Sequence, residues 1–265
     1  MVVEVAGGLL VNSLTLLADA GHMFLDATAL GLSWYSLRLS RRANDHRLSY
    51  GYHRYQVLAA FINGILLCAL IAWILIEAIS RFQTPQAMLP IPALAVALLG
   101  LVVNIIAYRW LHHAKDNAAV RSAALHVIGD ILGSLAAIAA AAIVYFTGWS
   151  YADPLLALVV VAILGRGAWR VLMESAHILL EGVPQGMNLR EISDTLTSRV
   201  PEVRNIHHLH AWALTAEKPL LTLHASVDED IELGNVVTRI KALLNEEFGI
   251  DHSTIQVEHG PCPDD

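Results

Sequence analysis

Charge is what this chain has least of. Only 15% of its 265 residues are Asp, Glu, Lys or Arg, against about a quarter in an ordinary soluble domain. Residues 55–76, 83–108 and 131–152 carry none at all. Each run is long enough to cross a hydrocarbon core of about 30 Å, which takes roughly 20 helical residues. Buried helices of a large soluble protein do not account for three such runs. Cysteine is equally scarce. Cys68 lies within an apolar run and Cys262 near the C-terminus, so no disulfide framework is implied. No basic n-region or cleavage site follows Met1, so a secretory signal peptide is not expected. Low-complexity segments and a His-Glu-x-x-His zinc-hydrolase helix are also missing. The net charge of −7 comes mostly from residues after Pro184 and gives no reason to expect a nucleic-acid partner.

What is present is apolar: 55% of residues are hydrophobic and the mean hydropathy is +0.52. Segments 18–38 and 154–173 are further apolar stretches broken by a few ionisable side chains. Two of those breaks share one spacing, His22…Asp26 and His126…Asp130. Residues at i and i+4 lie on one face of a helix. Ionisable groups within a span are costly, face a bundle interior and mark an ion or proton path. Two such helices facing each other offer two imidazoles and two carboxylates, a set suited to tetrahedral Zn²⁺. The carboxylates neutralise the dication, and two imidazoles would be out of place around Mg²⁺. Asp19, one turn before His22, reads as an entrance carboxylate or as a residue at the helix start. Asn12, Asn63 and Asn104 read as interhelical hydrogen bonders.

Lys and Arg orient the spans. The first long loop holds Arg38, Arg41, Arg42, Arg47 and Arg54, and the third holds Arg109, Lys115 and Arg121; the loops around 81–90 and 147–153 hold one and none. The basic loops and the C-terminus are therefore expected in the cytoplasm. Residues 1–10 are apolar but amount to about half a crossing at 1.5 Å per residue. The expectation is five full spans and the back half of a first one, a truncated six-span bundle over 1–183. From 184 to 265 the composition becomes that of a small soluble domain, after Gly182 and Pro184 close the last helix. Periodicity predicts a helix at 189–199, strands at 203–214 and 220–227, a helix at 233–248 and a strand at 253–258. That order suggests an α+β sandwich of helices on a three-stranded sheet.

The segments Ala18-Asp-Ala-Gly-His22-Met-Phe-Leu-Asp26, Gly51-Tyr-His53-Arg54, Leu125-His-Val-Ile-Gly-Asp130, Ile206-His-His-Leu-His-Ala-Trp212 and Thr254-Ile-Gln-Val-Glu258 resemble the cation diffusion facilitator family. The paired His-x-x-x-Asp pattern is similar to its zinc-preferring branch of bacterial exporters and vesicular transporters. The resemblance implies a six-span bundle plus a cytoplasmic metallochaperone-like α+β domain, working as a homodimer that exchanges metal for protons. It places the transport site at His22, Asp26, His126 and Asp130, and a charge interlock between bundle and domain at Arg54 and Glu181. It maps cytoplasmic-domain ligands to His207, His224 and Glu258, with Cys262 as an extra. His208 and His210 alternate along the same strand, so one face of it contributes. A vesicular-type site would pair His53 with His252. Of another metal site known in some members only Asp45 matches, Leu48 and Tyr52 standing where histidines are expected.

The function expected is a zinc/proton antiporter, not an enzyme, exporting Zn²⁺ from the cytoplasm across a bacterial inner membrane by alternating access. Zn²⁺ is its substrate and a regulatory ion; Cd²⁺, Co²⁺ and Ni²⁺ share the ligand chemistry. The alternatives are a membrane-bound metal sensor and, further off, an intramembrane zinc hydrolase.

Overall fold

The computed structural model describes residues 2–42, 44–113, 118–260 and 262, and the side chains of 3–42, 44–110, 127–260 and 262. The elements follow in the order α1 (Val2–Val11), α2 (Leu14–Ser40), α3 (Arg54–Gln83), α4 (Pro90–His113), α5 (Ala118–Thr147), α6 (Ala152–Leu179), α7 (Leu189–Arg199), β1 (Val203–Ala213), β2 (Pro219–Val227), α8 (Leu233–Phe248) and β3 (His252–Glu258). Among the described residues four helices are long and apolar enough to cross a membrane: α3, Pro90–Trp110 of α4, Val127–Thr147 of α5, and α6. α2 has the length, 27 residues or about 40 Å. With Asp19, His22 and Asp26 along it, it is too polar to join those four by composition.

The residues gather into two compact units, 1–34 with 60–172 and 35–59 with 173–265. In the first, small residues set the packing. Ala93 and Ala97 on α4 and Ala137 and Ala141 on α5, each pair at i, i+4, are buried in one cluster with Val11, Leu16 and Val144. Leu14 and Ala18 of α2 are buried with Ile74 and Ala78 of α3 and Ala157 and Val161 of α6. Helices in lipid associate through close packing of small side chains rather than through the hydrophobic effect. At Gly64 the backbones of α3 and α6 come so near that an added Cβ would stand 3.1 Å from the Leu172 Cα.

A buried polar network fixes the start of α2. Asp153, on the first turn of α6, accepts the Ser13 hydroxyl at 2.7 Å and the backbone N–H groups of Leu14 and Thr15 at 2.6 and 3.2 Å. It thereby caps two donors that have no partner within the helix. Arg81 of α3 approaches the same carboxylate at 3.4 Å, donates to the Asn12 carbonyl and side-chain oxygens at 2.8 and 2.9 Å, and pairs with Glu77 at 2.9 Å. Asn12 holds the α1–α2 turn in the left-handed region, φ 61°, which Asn tolerates better than most residues.

In the second unit the sheet order is β1-β2-β3, antiparallel between β1 and β2 and parallel between β2 and β3. Both α7 and α8 start at the residue expected from the 3.6-residue spacing of their apolar positions. Ile192 and Leu196 of α7 and Val236, Ile240 and Leu244 of α8 are buried against Leu221, Leu223 and Ala225 of β2. Full burial of a Leu or Ile contributes about 1.5–3 kcal/mol, so these contacts carry the domain's core. In the loop, Asp45 accepts the Arg47 and Leu48 N–H groups at 2.9 and 2.8 Å and the Tyr52 hydroxyl at 2.8 Å. The Leu48 amide, then the Tyr52 hydroxyl and the Arg47 amide, hold the Asp45 carboxyl below its usual range.

Asp153→Ala leaves Arg81 buried with only Glu77 as countercharge, a loss of about 3–5 kcal/mol for a broken buried pair. Thermal unfolding in detergent should register it, and Arg81→Ala in the same background should cost less than it does alone. Additive losses would mean that the two side chains act independently.

Candidate metal centres

α2 supplies His22 and Asp26 one turn apart, with Nε2 and Oδ2 3.3 Å from each other. α5 supplies Asp130, 6% exposed. One ligand atom from each of His22, Asp26 and Asp130 lies within 4.8 Å of the others. Atoms bound to one tetrahedral Zn²⁺ at 2.0–2.2 Å stand about 3.4 Å apart, so closing this set on an ion takes a contraction of at most about 1.4 Å between ligand atoms. His126 belongs to α5, but its side chain lies outside the described residues.

Asp19 sits in the second turn of α2 and is 3% exposed, so it is not a helix-start residue. The Ser134 hydroxyl contacts its Oδ2 at 3.4 Å, and the Asn104 amide donates to Ser134 Oγ at 3.3 Å. Asn104 thus links α4 to α5, as expected of an interhelical donor. Asn12 bonds to Arg81 and to Gln86. The expectation fails for Asn63, whose buried side-chain oxygen has no partner among the described residues. Gly133 of α5 leaves the space that Asp19 fills: an added Cβ would overlap the carboxylate.

The second group lies on the sheet. His207 of β1 faces His224 of β2 in register, and Glu258 ends β3 beside Ser226. Glu258 Oε2 is 3.1 Å from His207 Nε2, its Oε1 is 2.9 Å from His224 Nδ1, and Cys262 Sγ is 3.4 Å from His224 Nδ1. One ligand atom from each of these four residues falls within 4.8 Å of the rest. Burial pushes the Glu258 carboxyl up, but the Gln256 amide, the Cys262 thiol and the two imidazoles outweigh it and hold it below the ordinary range. Strict alternation of His208 and His210 does not hold, because β1 bulges between His207 and His210 and His208 takes φ 46°. Nothing in the sequence marks that bulge.

His53 and His252 line one small cavity with Tyr50, Lys218 and Asp251. No third ligand groups with them among the described residues, and the Lys218 ammonium stands 3.2 Å from His53 Nε2. Burial, and then the Lys218 charge, hold the His53 imidazole below its usual pKa. A dication on that nitrogen would first have to displace the ammonium. Arg54 and Glu181 form the expected pair at 3.0 Å. Both are substantially exposed, so the pair adds little stability, roughly 0–1 kcal/mol.

Residues 1–180 match the family described as the cation efflux transmembrane domain, and residues 184–260 match the cation efflux protein, cytoplasmic domain. The chain belongs to the cation efflux family. As a cation efflux protein it is a multi-pass membrane protein with a helical bundle and a cytoplasmic C-terminal α+β domain, of a transporter family rather than an enzyme family. It is 46% identical to the zinc transporter ZitB of Pectobacterium atrosepticum over all of this chain and 83% of that protein. It is 43% identical to ZitB of Escherichia coli over 99% of this chain and 84% of the relative. It is 38% identical to the cadmium, cobalt and zinc/H(+)-K(+) antiporter of Bacillus subtilis, over 97% and 84%. A solved metal-bound C-terminal domain of the CzcD transporter is 36% identical, covering 27% of this chain and 99% of that one, with a TM-score of 0.26.

The two glycines flanking Asp130 should respond oppositely to alanine. Gly133→Ala displaces the Asp19 carboxylate and should lower the unfolding temperature. Gly129 has nothing within 4 Å of an added Cβ, so Gly129→Ala should be neutral or gain up to about 1 kcal/mol of helix propensity. Equal responses would contradict the packing around Asp19.

Proposed function

We propose that this protein exports Zn²⁺ from the bacterial cytoplasm across the inner membrane in exchange for protons, using His22, Asp26, His126 and Asp130 as the transport site. The observation that carries the reading is the convergence of His22, Asp26 and Asp130 from two helices, with ligand atoms within 4.8 Å of one another. The names of the relatives support the metal: zinc for ZitB, and cadmium and cobalt as well for the Bacillus antiporter.

The chemistry of the set supplies the exchange. Ligands must be deprotonated to bind metal, so protons and Zn²⁺ compete for the same lone pairs. Imidazole titrates near 6.5 in water, close to cellular pH. Facing the cytoplasm, the site gives up protons and accepts Zn²⁺; facing outward, incoming protons displace it. Two carboxylates balance the dication, so the loaded site is formally neutral while it is shielded from water. Cd²⁺ and Co²⁺ fit the same nitrogen and oxygen ligands, and Ni²⁺ does so with more geometric strain. The cytoplasmic cluster of His207, His224 and Glu258, with Cys262 beside it, holds a regulatory ion, and the protein works as a homodimer. Such an ion regulates only by binding two states of the transporter unequally.

Zinc-driven proton flux into proteoliposomes tests the reading. The parent should carry flux, Asp26→Ala and Asp130→Ala should fall to background, and His224→Asn should still transport. Parental flux in both Asp variants would overturn the site.

A further inference from the structure

His208 sits where a regular strand would send it away from His207. Successive side chains of a strand point to opposite faces, but here the β1–β2 pairing slips between His207 and His210, and His208 adopts φ 46°. A bulge of this kind re-aims one side chain. A left-handed conformation at a residue other than glycine is sparsely populated and persists only where its surroundings hold it.

The result is a triangle of imidazoles. Ring centres are 5.4 Å apart for His207 and His224, 5.5 Å for His207 and His208, and 5.0 Å for His208 and His224. Imidazole nitrogens bind Zn²⁺ at about 2.0–2.1 Å, which puts each ring centre about 3.2 Å from the metal. At a tetrahedral angle two such centres are then about 5.2 Å apart. All three separations fall close to that value. Glu258 adds a carboxylate already in contact with two of the rings.

We infer that His208 is a ligand of the divalent metal at the cytoplasmic cluster, completing a three-imidazole, one-carboxylate shell with His207, His224 and Glu258. The inference rests on the reading of that cluster as a metal site. In this shell His208 takes the place that the Cys262 thiol, 3.4 Å from His224 Nδ1 and within 4.8 Å of the ligand atoms of His207, His224 and Glu258, would otherwise fill, and no metal–sulfur bond forms. The shell is all nitrogen and oxygen, a harder donor set than one that includes thiolate, and it disfavours soft monovalent copper. The bulge is the device that brings the third ring in.

The test is Co²⁺ titration of the full-length chain carrying Asp130→Ala, which removes the membrane site, followed by visible and near-ultraviolet absorption. The expected spectrum has tetrahedral d–d bands and no sulfur-to-cobalt charge-transfer band. His208→Asn keeps a side chain that tolerates left-handed backbone, and should weaken Co²⁺ binding at least about tenfold. Cys262→Ser should change neither affinity nor spectrum. A second variant, His208→Gly, relieves the backbone while removing the ring, so it should raise the metal-free unfolding temperature and still lose Co²⁺. A purely structural His208 would leave affinity unchanged in both variants while His207→Asn lost the metal, and that result overturns the inference. Indifference of the titration to His207→Asn as well would remove the metal reading of the whole cluster, and His208's role with it.

Discussion

Carboxylates buried in helices that sit in lipid need a partner for their charge, and that need governs the membrane half of this protein. An uncompensated ion in low dielectric is too costly to persist, so Asp26 and Asp130 must meet a cation, a proton or each other's protonated form. Bringing them together requires α2 and α5 to stay close over the length of a span. Buried alanines and the close approach at Gly64 let the helices pack, and Gly133 leaves room for the Asp19 carboxylate beside them. The Asp153–Arg81–Asn12 network pins the first turn of α2 to α3 and α6, which sets the helix on which His22 and Asp26 ride.

The C-terminal domain meets a related demand by other means. A hydrophobic core between two helices and three strands holds the sheet rigid, and the sheet presents one ligand candidate from each strand: His207, His224 and Glu258. Asp45 accepts from two backbone amides and the Tyr52 hydroxyl, and these hydrogen bonds hold the loop.

Much of this was legible in the residues. The i, i+4 pair puts His22 and Asp26 on one face because helix geometry is periodic whatever surrounds it, and α7 and α8 keep the bounds their apolar spacing implies. The sheet's candidate ligands came from a resemblance rather than from a pattern in the strands. What could not be read depends on tertiary context. A bulge at His208 leaves no local mark, since neither glycine nor proline accompanies it. The Lys218 ammonium that occupies His53 comes from 165 residues away. Asp19 reads in sequence as an entrance carboxylate or a helix-start residue, because its burial depends on a glycine on another helix. α2 falls outside a purely apolar definition of a span because of the polar residues, Asp19, His22 and Asp26, that make it a candidate for the site.

The proposed transport site is a four-ligand nitrogen and oxygen set within the bundle. Zinc-edge X-ray absorption on the full-length protein, with His207→Asn and His224→Asn removing the cytoplasmic cluster, isolates that set. One bound zinc is expected with about four nitrogen or oxygen neighbours near 2.0 Å, two of them showing the outer-shell scattering of imidazole. A six-oxygen shell, a sulfur neighbour, or no bound zinc at all would contradict it.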